Sequence, residues 1–66
     1  MAILKVIEVL SNSDISWEDA TKKAVEDASK TVKNIRSVYV QDQSAVVKDG
    51  EVQEFRVNLK ITFEVR

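Results

Sequence analysis

The chain of 66 residues contains no cysteine, no histidine and no proline, and it has a single glycine. Without cysteine and histidine it can form no disulfide, no Cys/His metal site and no Cys/His nucleophile–base pair. One glycine is too few for the glycine-rich loops that cradle phosphate groups. These absences predict that the protein is not an enzyme.

An excess of charge of either sign is also missing, because ten basic and eleven acidic side chains leave a net charge of −1. Nucleic-acid-binding domains need a basic surface, so we predict no nucleic-acid partner. No apolar run approaches the roughly 20 residues of a membrane-spanning helix, and the first residues have no signal-peptide pattern. We therefore expect a cytoplasmic protein that has no membrane contact.

The length is sufficient for one small domain, which we predict over residues 1–66. A chain this short buries about 60% of its unfolded surface, and the burial energy then roughly cancels the loss of chain entropy. Small proteins overcome this deficit with disulfides, metals or self-association. Because cysteine and histidine chemistry is excluded, we predict that the protein assembles with copies of itself.

Hydrophobic periodicity predicts the first strand and the helix. Residues 3–10 form a β-rich run with apolar side chains on both faces, so this strand is predicted to be buried on most of both faces. Residues 11–14 have turn chemistry, and Ser16 is the predicted N-cap of the helix that follows. A stripe of apolar residues predicts a helix of about 18 residues: Trp17, Ala20, Ala24, Ala28, Val32 and Ile35.

A second strand is predicted over residues 37–47 and a third over 52–65, joined by the hairpin signal Asp49-Gly50. The sequence thus predicts an α+β fold of order β-α-β-β, with a three-stranded antiparallel sheet wrapped around one helix. The third strand extends to about 46 Å, whereas a compact monomer is roughly 28 Å across. Another subunit should therefore cover part of this strand. The alternative is a bulge that folds the strand over its own core.

A two-residue hairpin loop pairs each residue of the second strand with its mirror position across Asp49-Gly50. In this register Phe55, Val57 and Asp42 are on the side that faces the helix. A polar face is predicted on the other side, open for ligands or partners: Ser37, Tyr39, Gln41, Gln43, Arg56, Asn58, Lys60 and Thr62. Ser37 is opposite Thr62 and roughly 20 Å along the strand from Arg56, so a ligand that contacts both would lie between subunits.

Two interpretations are considered for each of three residues and for the acidic pairs of the helix. Tyr39 on the polar face could stack on a planar ligand or pack on a neighbouring subunit. Trp17 is interpreted as a cover for the edge of the core rather than a stacking residue. Asp42 is interpreted as an interface carboxylate rather than a catalytic base. The acidic pairs Glu18-Asp19 and Glu26-Asp27 could contact calcium between subunits, although a solvated helix face is favoured.

Several short motifs occur in an order that is typical of one family. They are the opening Lys5-Val6-Ile7-Glu8-Val9, the helix start Ser16-Trp17-Glu18-Asp19-Ala20 with Ala24 and Ala28, Thr31-Val32 and Asn34-Ile35, Val40 with Asp42-Gln43, and the final Val57, Leu59, Ile61 and Phe63-Glu64-Val65. By these residues the chain resembles the dodecins over nearly its whole length. The resemblance implies a β-α-β-β subunit, a hollow homododecamer, and a role in binding and storing flavins such as FMN or riboflavin.

The chain departs from this family at two ligand positions. Flavin-binding dodecins have a tryptophan where this chain has Ser37, and a glutamine where it has Arg56. The loss of a stacking platform removes about 1–3 kcal/mol, by analogy with base stacking. Arginine donates hydrogen bonds but cannot accept the proton of a ring imide. We therefore predict a weakened flavin affinity, at a ligand site that contains Ser37, Tyr39, Asp42, Gln43 and Arg56.

The alternative function is a structural or calcium-binding dodecin-like shell. Dodecin-like members without the aromatic residue have been linked to calcium, and calcium needs only oxygen ligands. A small isolated dimer that serves a larger complex is a third hypothesis. No set of metal-ligating residues is predicted from the sequence, so calcium enters only through the resemblance and the acidic pairs.

Overall fold

A computed structural model describes residues 2–65 of the chain. Along the chain the elements are β1 (Ile3–Ser13), α1 (Trp17–Ala28), β2 (Ile35–Lys48) and β3 (Glu51–Val65). β3 lies between β1 and β2 and pairs antiparallel with both. The predicted α+β fold of order β-α-β-β, with a three-stranded antiparallel sheet around one helix, is confirmed.

β1 continues to Ser13, although the sequence predicts a turn over residues 11–14. The hydroxyl of Ser11 donates to the Ala20 carbonyl at 2.9 Å, and the hydroxyl of Ser13 donates to Asp19 at 2.6 Å. Serine promotes turns when its side chain bonds to nearby backbone. The Ser13 hydroxyl does accept from the nearby Ile15 N–H at 2.9 Å, but the chain bends only after Ser13. Residues 11–13 remain in β1 because they pair with β3, so the predicted turn is wrong for these residues.

α1 begins as predicted, because the Ser16 side chain accepts a hydrogen bond from the backbone N–H of Asp19 at 2.9 Å. The helix ends at Ala28 and has 12 residues, so the predicted length of about 18 residues is wrong. Asn34, with a left-handed φ of 62°, redirects the chain into β2. Ile35 then pairs with β3, and this long-range pairing overrides the helical spacing of the apolar residues.

β2 and β3 are joined by the predicted two-residue turn at Asp49-Gly50. Both residues have positive φ, 53° for Asp49 and 76° for Gly50. A type I′ turn requires this conformation, and aspartate and glycine adopt it more readily than other residues. Lys48 and Glu51 face each other at the ends of the two strands.

One face of the sheet packs on α1 and contains the core. Val57 and Leu59 are at most 2% exposed and form a cluster with Ala20 and Ala24 of the helix. Alanine side chains are small, so the helix axis can approach the sheet closely. We call the opposite side of the sheet the outer face.

The register between β2 and β3 is shifted in its middle part by a bulge. Ser37 faces Thr62 as predicted, but the pairing then skips Gln41. Beyond the bulge Asp42 faces Asn58. An extra residue in one strand moves every following side chain to the opposite face. The predicted core-facing position of Asp42 is therefore wrong, and this residue lies on the outer face.

The same bulge changes the position of the next residue. Gln43 faces Val57 and so lies on the helix side of the sheet, whereas the sequence predicts it on the polar face. The predicted register returns only near the hairpin, after a further shift between Val46 and Val47. A mirror-image register is correct near a turn, but bulges further along the strands cannot be read from the turn.

The molecule is elongated, with extents of 50 × 20 × 13 Å and a radius of gyration of 13.5 Å. A compact chain of this length would have a radius of gyration of about 11 Å. The bulges therefore do not fold the strands back over the core. Leu4, Val6 and Leu10 on the outer side of β1 are 53%, 56% and 79% exposed. The prediction that β1 is buried on both faces is wrong for a single chain, because α1 covers one face only.

The helix that residues 2–65 contain has 12 residues and is neither long enough nor apolar enough to span a membrane.

Candidate ligand groove

Side chains on the outer face form rows, each with one residue from β1, one from β3 and one from β2. Because β3 is the central strand, it supplies the middle residue of each row. Two neighbouring rows concern the site: Leu10, Asn58 and Asp42 in one, and Asn12, Arg56 and Ser44 in the next. Directly opposed Cβ atoms are about 4.5–5.5 Å apart, so the members of a row can contact the same small molecule.

These two rows line an open groove with a volume of about 480 Å³. Pockets for small ligands measure about 300–1,000 Å³, so a molecule of cofactor size fits. Leu10 supplies an apolar wall, and the other members of the two rows are polar or charged. The bulge at Gln41 contributes directly, since it turns Asp42 and Ser44 toward the outer face.

A small polar cluster holds Arg56 at one end of the groove. Arg56 Nε lies 3.7 Å from Glu54 Oε2, and Asn12 Nδ2 donates to the same oxygen at 3.1 Å. The Arg56 side chain is 58% exposed, and exposed ion pairs of this kind contribute little to stability. A guanidinium has five N–H donors, so Arg56 can donate to a ligand while it contacts Glu54.

Asn58 lies between Leu10 and Asp42 and has an unmet hydrogen-bond acceptor. Its Oδ1 is buried and has no partner, and no other buried side-chain nitrogen or oxygen in residues 2–65 is left in this state. A buried acceptor without a donor costs about 1–3 kcal/mol. A ligand that brings a donor to this atom would recover that free energy.

The structure brings together some of the residues predicted to bind a ligand and separates others. Asp42 and Arg56 both line the groove. Ser37 and Tyr39 also lie on the outer face, but in rows nearer the start of β2. Gln43 lies on the helix side. Within one chain, therefore, Ser37 does not reach the groove that contains Arg56.

The sequence does not indicate a binding role for several residues that line the groove. Leu10, Asn12 and Ser44 have no predicted role, and Asn58 is predicted on the polar face without a function. The alternation of β3 is the signal that places Asn58. No comparable signal places Ser44, because its face depends on the bulge at Gln41.

Trp17 covers the edge of the core, as predicted. Its ring meets that of Phe55 edge-on, with 4.9 Å between centroids and 77° between planes. The indole Nε1 donates to the Ser44 carbonyl at 2.8 Å. Trp17 is thus used for packing, and Tyr39, which is 66% exposed, is the aromatic side chain of the outer face.

A second polar cluster ties the start of α1 to the end of β1. Ser13 is 7% exposed, donates to Asp19 Oδ2 at 2.6 Å and accepts from the backbone N–H of Ile15 at 2.9 Å. Lys23 Nζ lies 3.1 Å from the same carboxylate oxygen. The hydrogen bond from Ser13 and the contact with Lys23 lower the pKa of Asp19. Asp19 therefore links the start of α1 to the end of β1.

Other acidic side chains in and near the helix form ion pairs with lysines. Glu18 lies 3.1 Å from Lys22 Nζ, and Asp27 lies 3.4 Å from Lys30 Nζ. Within residues 2–65 no three acidic side chains gather closely enough to hold a metal ion.

The fold and the groove together define a class: small α+β proteins of order β-α-β-β, with a helix on one face of the sheet and a ligand-sized groove on the other. The sequence profile of the dodecin family matches residues 3–66. The calcium dodecin of Mycobacterium tuberculosis is 33% identical over 66 residues, which cover 100% of this chain and 93% of that protein. The chain belongs to the dodecin family.

Solved structures agree with this assignment. The crystal structure of the Mycobacterium tuberculosis calcium dodecin, a calcium-chelating antigen with a calcium-binding site, superposes with a TM-score of 0.83 at 34% identity, covering 97% of this chain and 91% of that one. The dodecin of Streptomyces coelicolor gives 0.93 at 28% identity, covering 98% and 93%. Dodecins are small binding and storage proteins without enzymatic activity, which supports the prediction that this chain is not an enzyme.

Proposed function

We propose that the chain is the subunit of a homo-oligomeric dodecin that binds and stores a flavin-class small molecule such as FMN or riboflavin. The groove of about 480 Å³ on the outer face carries this proposal. It combines an apolar wall at Leu10 with acceptors at Asp42 and Asn58 and a donor at Arg56. A planar ring with a polar edge needs this combination of surfaces.

The proposed assembly is a hollow homododecamer. Support comes from the apolar side chains that a single chain leaves open on β1, namely Leu4, Val6 and Leu10. Exposed apolar patches of this kind mark interaction surfaces, and burial of each side chain contributes about 1.5–3 kcal/mol. In an assembly, Ser37 of one copy could approach the groove of another, which a single chain does not permit.

The proposed flavin affinity is weak because Ser37 offers no ring for stacking. A stacked aromatic contributes about 1–3 kcal/mol, and 1.4 kcal/mol corresponds to a tenfold change in the dissociation constant. Ser37 and Tyr39 would contribute from an adjacent row or copy, whereas Gln43 lies on the helix side of the sheet and has no part in the groove. A single domain over residues 1–66 and a cytoplasmic location complete the proposal.

A titration with FMN and riboflavin tests the proposal by quenching of flavin fluorescence. We expect a dissociation constant above the micromolar range for the unaltered chain. Ser37→Trp should lower it about tenfold or more. Ser29→Trp is the matched control, because Ser29 is an exposed serine at the end of α1. If neither the unaltered chain nor Ser37→Trp quenches flavin at millimolar protein, flavin binding is wrong.

Calcium binding is the second candidate function. It is favoured by the 33% identity over the whole chain to a protein that is named for calcium. The ligands would come from acidic side chains of two copies, with Glu26 and Asp27 as the exposed pair. Calorimetric titration with calcium, compared with magnesium, tests this function. Heat that is reduced by Asp27→Asn but not by Asp14→Asn would support it, and no heat with no change in Tm would exclude it.

A further inference from the structure

The proposed function counts Asn58 among the acceptors of the groove but does not say which group of the ligand it recognises. We propose that Asn58 determines which ring the groove accepts, by taking a hydrogen bond from the ring N–H of a planar, neutral nitrogen heterocycle. This inference rests on the proposed function and deepens it. In this proposal Asn58 recognises the N–H at the edge of the ring, and Arg56 donates a hydrogen bond to the neighbouring ring carbonyl.

The first step is the unmet acceptor. Asn58 Oδ1 is buried without a partner, while the residue as a whole is partly exposed and lines the groove. The terminal torsion of an asparagine amide is soft, so a modest turn directs Oδ1 into the groove. A donor that arrives there forms the hydrogen bond that the single chain leaves unmade.

The second step is the charge around the groove. On the outer face around Asn58, the carboxylates of Glu8, Asp42 and Glu54 outnumber the cations of Arg56 and Lys60, and Arg56 already lies 3.7 Å from Glu54. This balance disfavours an anionic group at the ring edge and favours N–H donors. Asp42 faces Asn58 directly across the sheet, so two acceptors meet the guest at the same row.

The third step is the position of the donor. Arg56 is two residues from Asn58 on the same strand and face, about 7 Å away, and its flexible side chain spans that distance. It can donate to a ring carbonyl next to the N–H that Asn58 accepts. The class of guest that fits is therefore a heterocycle whose edge presents N–H beside C=O.

Lumiflavin and 3-methyllumiflavin test this proposal, because they share one ring and differ in its N–H. The unaltered protein is titrated into a fixed micromolar concentration of each ring, and fluorescence quenching is recorded. We expect lumiflavin to bind at least tenfold more tightly. This comparison needs no variant, so it does not depend on whether a variant folds.

Two variants then locate the effect. Asn58→Leu should weaken lumiflavin binding about tenfold and remove the difference between the two rings. Thr31→Val is the control, since Thr31 is exposed between α1 and β2, away from the groove and from Ser37, and it should leave both affinities unchanged. Circular dichroism and solution mass confirm that the variants keep the fold and the assembly.

The outcomes separate the two proposals. Binding of both rings with equal affinity by the unaltered chain overturns the role of Asn58 and leaves the proposed function standing. A preference for lumiflavin that persists in Asn58→Leu also overturns it. If neither ring binds, the proposed function fails, and the role of Asn58 fails with it.

Discussion

The two faces of the sheet differ in how far a single chain completes them. On the helix side, Leu59 and Ile61 are 0% exposed and Ser13 is fully hydrogen bonded. On the outer face, Leu10 is 79% exposed and Asn58 Oδ1 has no partner. Both faces belong to the same strands, so the difference arises from what covers them.

This contrast separates folding from binding in one small sheet. The helix side supplies the burial that holds a chain of 66 residues together. On the outer face, apolar side chains are exposed and a polar atom lacks a partner, as is typical of interfaces and ligand sites. Four experiments test this contrast, in order of decreasing expected effect on the free energy of unfolding of one chain.

The largest effect is expected from Leu59→Ala. Leu59 is completely buried under α1, so its truncation should lower the free energy of unfolding by about 2–5 kcal/mol. Ile15→Ala is the matched control, because Ile15 is 65% exposed between β1 and α1 and lies outside the apolar patch of β1, and it should change the free energy of unfolding by less than about 0.5 kcal/mol. Urea denaturation followed by circular dichroism measures both. Equal losses would contradict the assignment of the core to the helix side of the sheet.

The second effect concerns the close approach of α1. Ala20 is 0% exposed, so Ala20→Leu should overpack the interface and cost about 1–3 kcal/mol. Ala45 is an exposed alanine on β2, and Ala45→Leu is the control for added volume alone. Thermal denaturation compares the two. A stable Ala20→Leu chain would show that the helix can move away from the sheet without loss.

The third effect depends on pH through Asp19. Its folded-state pKa lies below the usual value of 3.8, because Ser13 and Lys23 stabilise the carboxylate. The stabilisation is complete above the unfolded pKa and is lost as pH falls through the lowered folded pKa. Tm should therefore fall as the pH drops below the usual pKa of 3.8, and less steeply in Asp19→Asn. Asp14→Asn is the control, and an identical slope in Asp19→Asn would contradict this role.

The smallest effect on a single chain is expected from Val6→Asp. Val6 is 56% exposed on the outer face, so the change should alter the free energy of unfolding of one chain by less than about 0.5 kcal/mol. It should nevertheless lower the solution mass measured by light scattering, because a carboxylate would be buried between copies. Asn12→Asp adds the same charge to the same strand in a polar row. An unchanged mass for Val6→Asp would remove this patch from the assembly surface.

The parts of the fold that were predictable are those that depend on nearby residues. Ser16 caps α1 through a residue three positions away, and Asp49-Gly50 adopt the turn that their own backbones favour. The alternation of β3 also identifies its buried side, because Val57 and Leu59 repeat with the period of a strand. Local geometry decides each of these features.

The candidate site was predictable only in part. Arg56 and Asn58 follow from the alternation of β3, whereas Asp42, Gln43 and Ser44 take their faces from the bulge that skips Gln41. A bulge depends on how two long strands twist against each other. No residue near Gln41 predicts this bulge. Glycine often marks a bulge in a strand, and the one glycine of this chain is at the hairpin.

The order β-α-β-β, the start of the helix and the hairpin follow from local periodicity and turn chemistry in the sequence. The end of α1, the face that Asp42 occupies and the atom of Asn58 that is left without a partner follow only from the three-dimensional structure. Each of these outcomes depends on pairing between residues far apart in the chain, and the free energy of such pairing outweighs local preference.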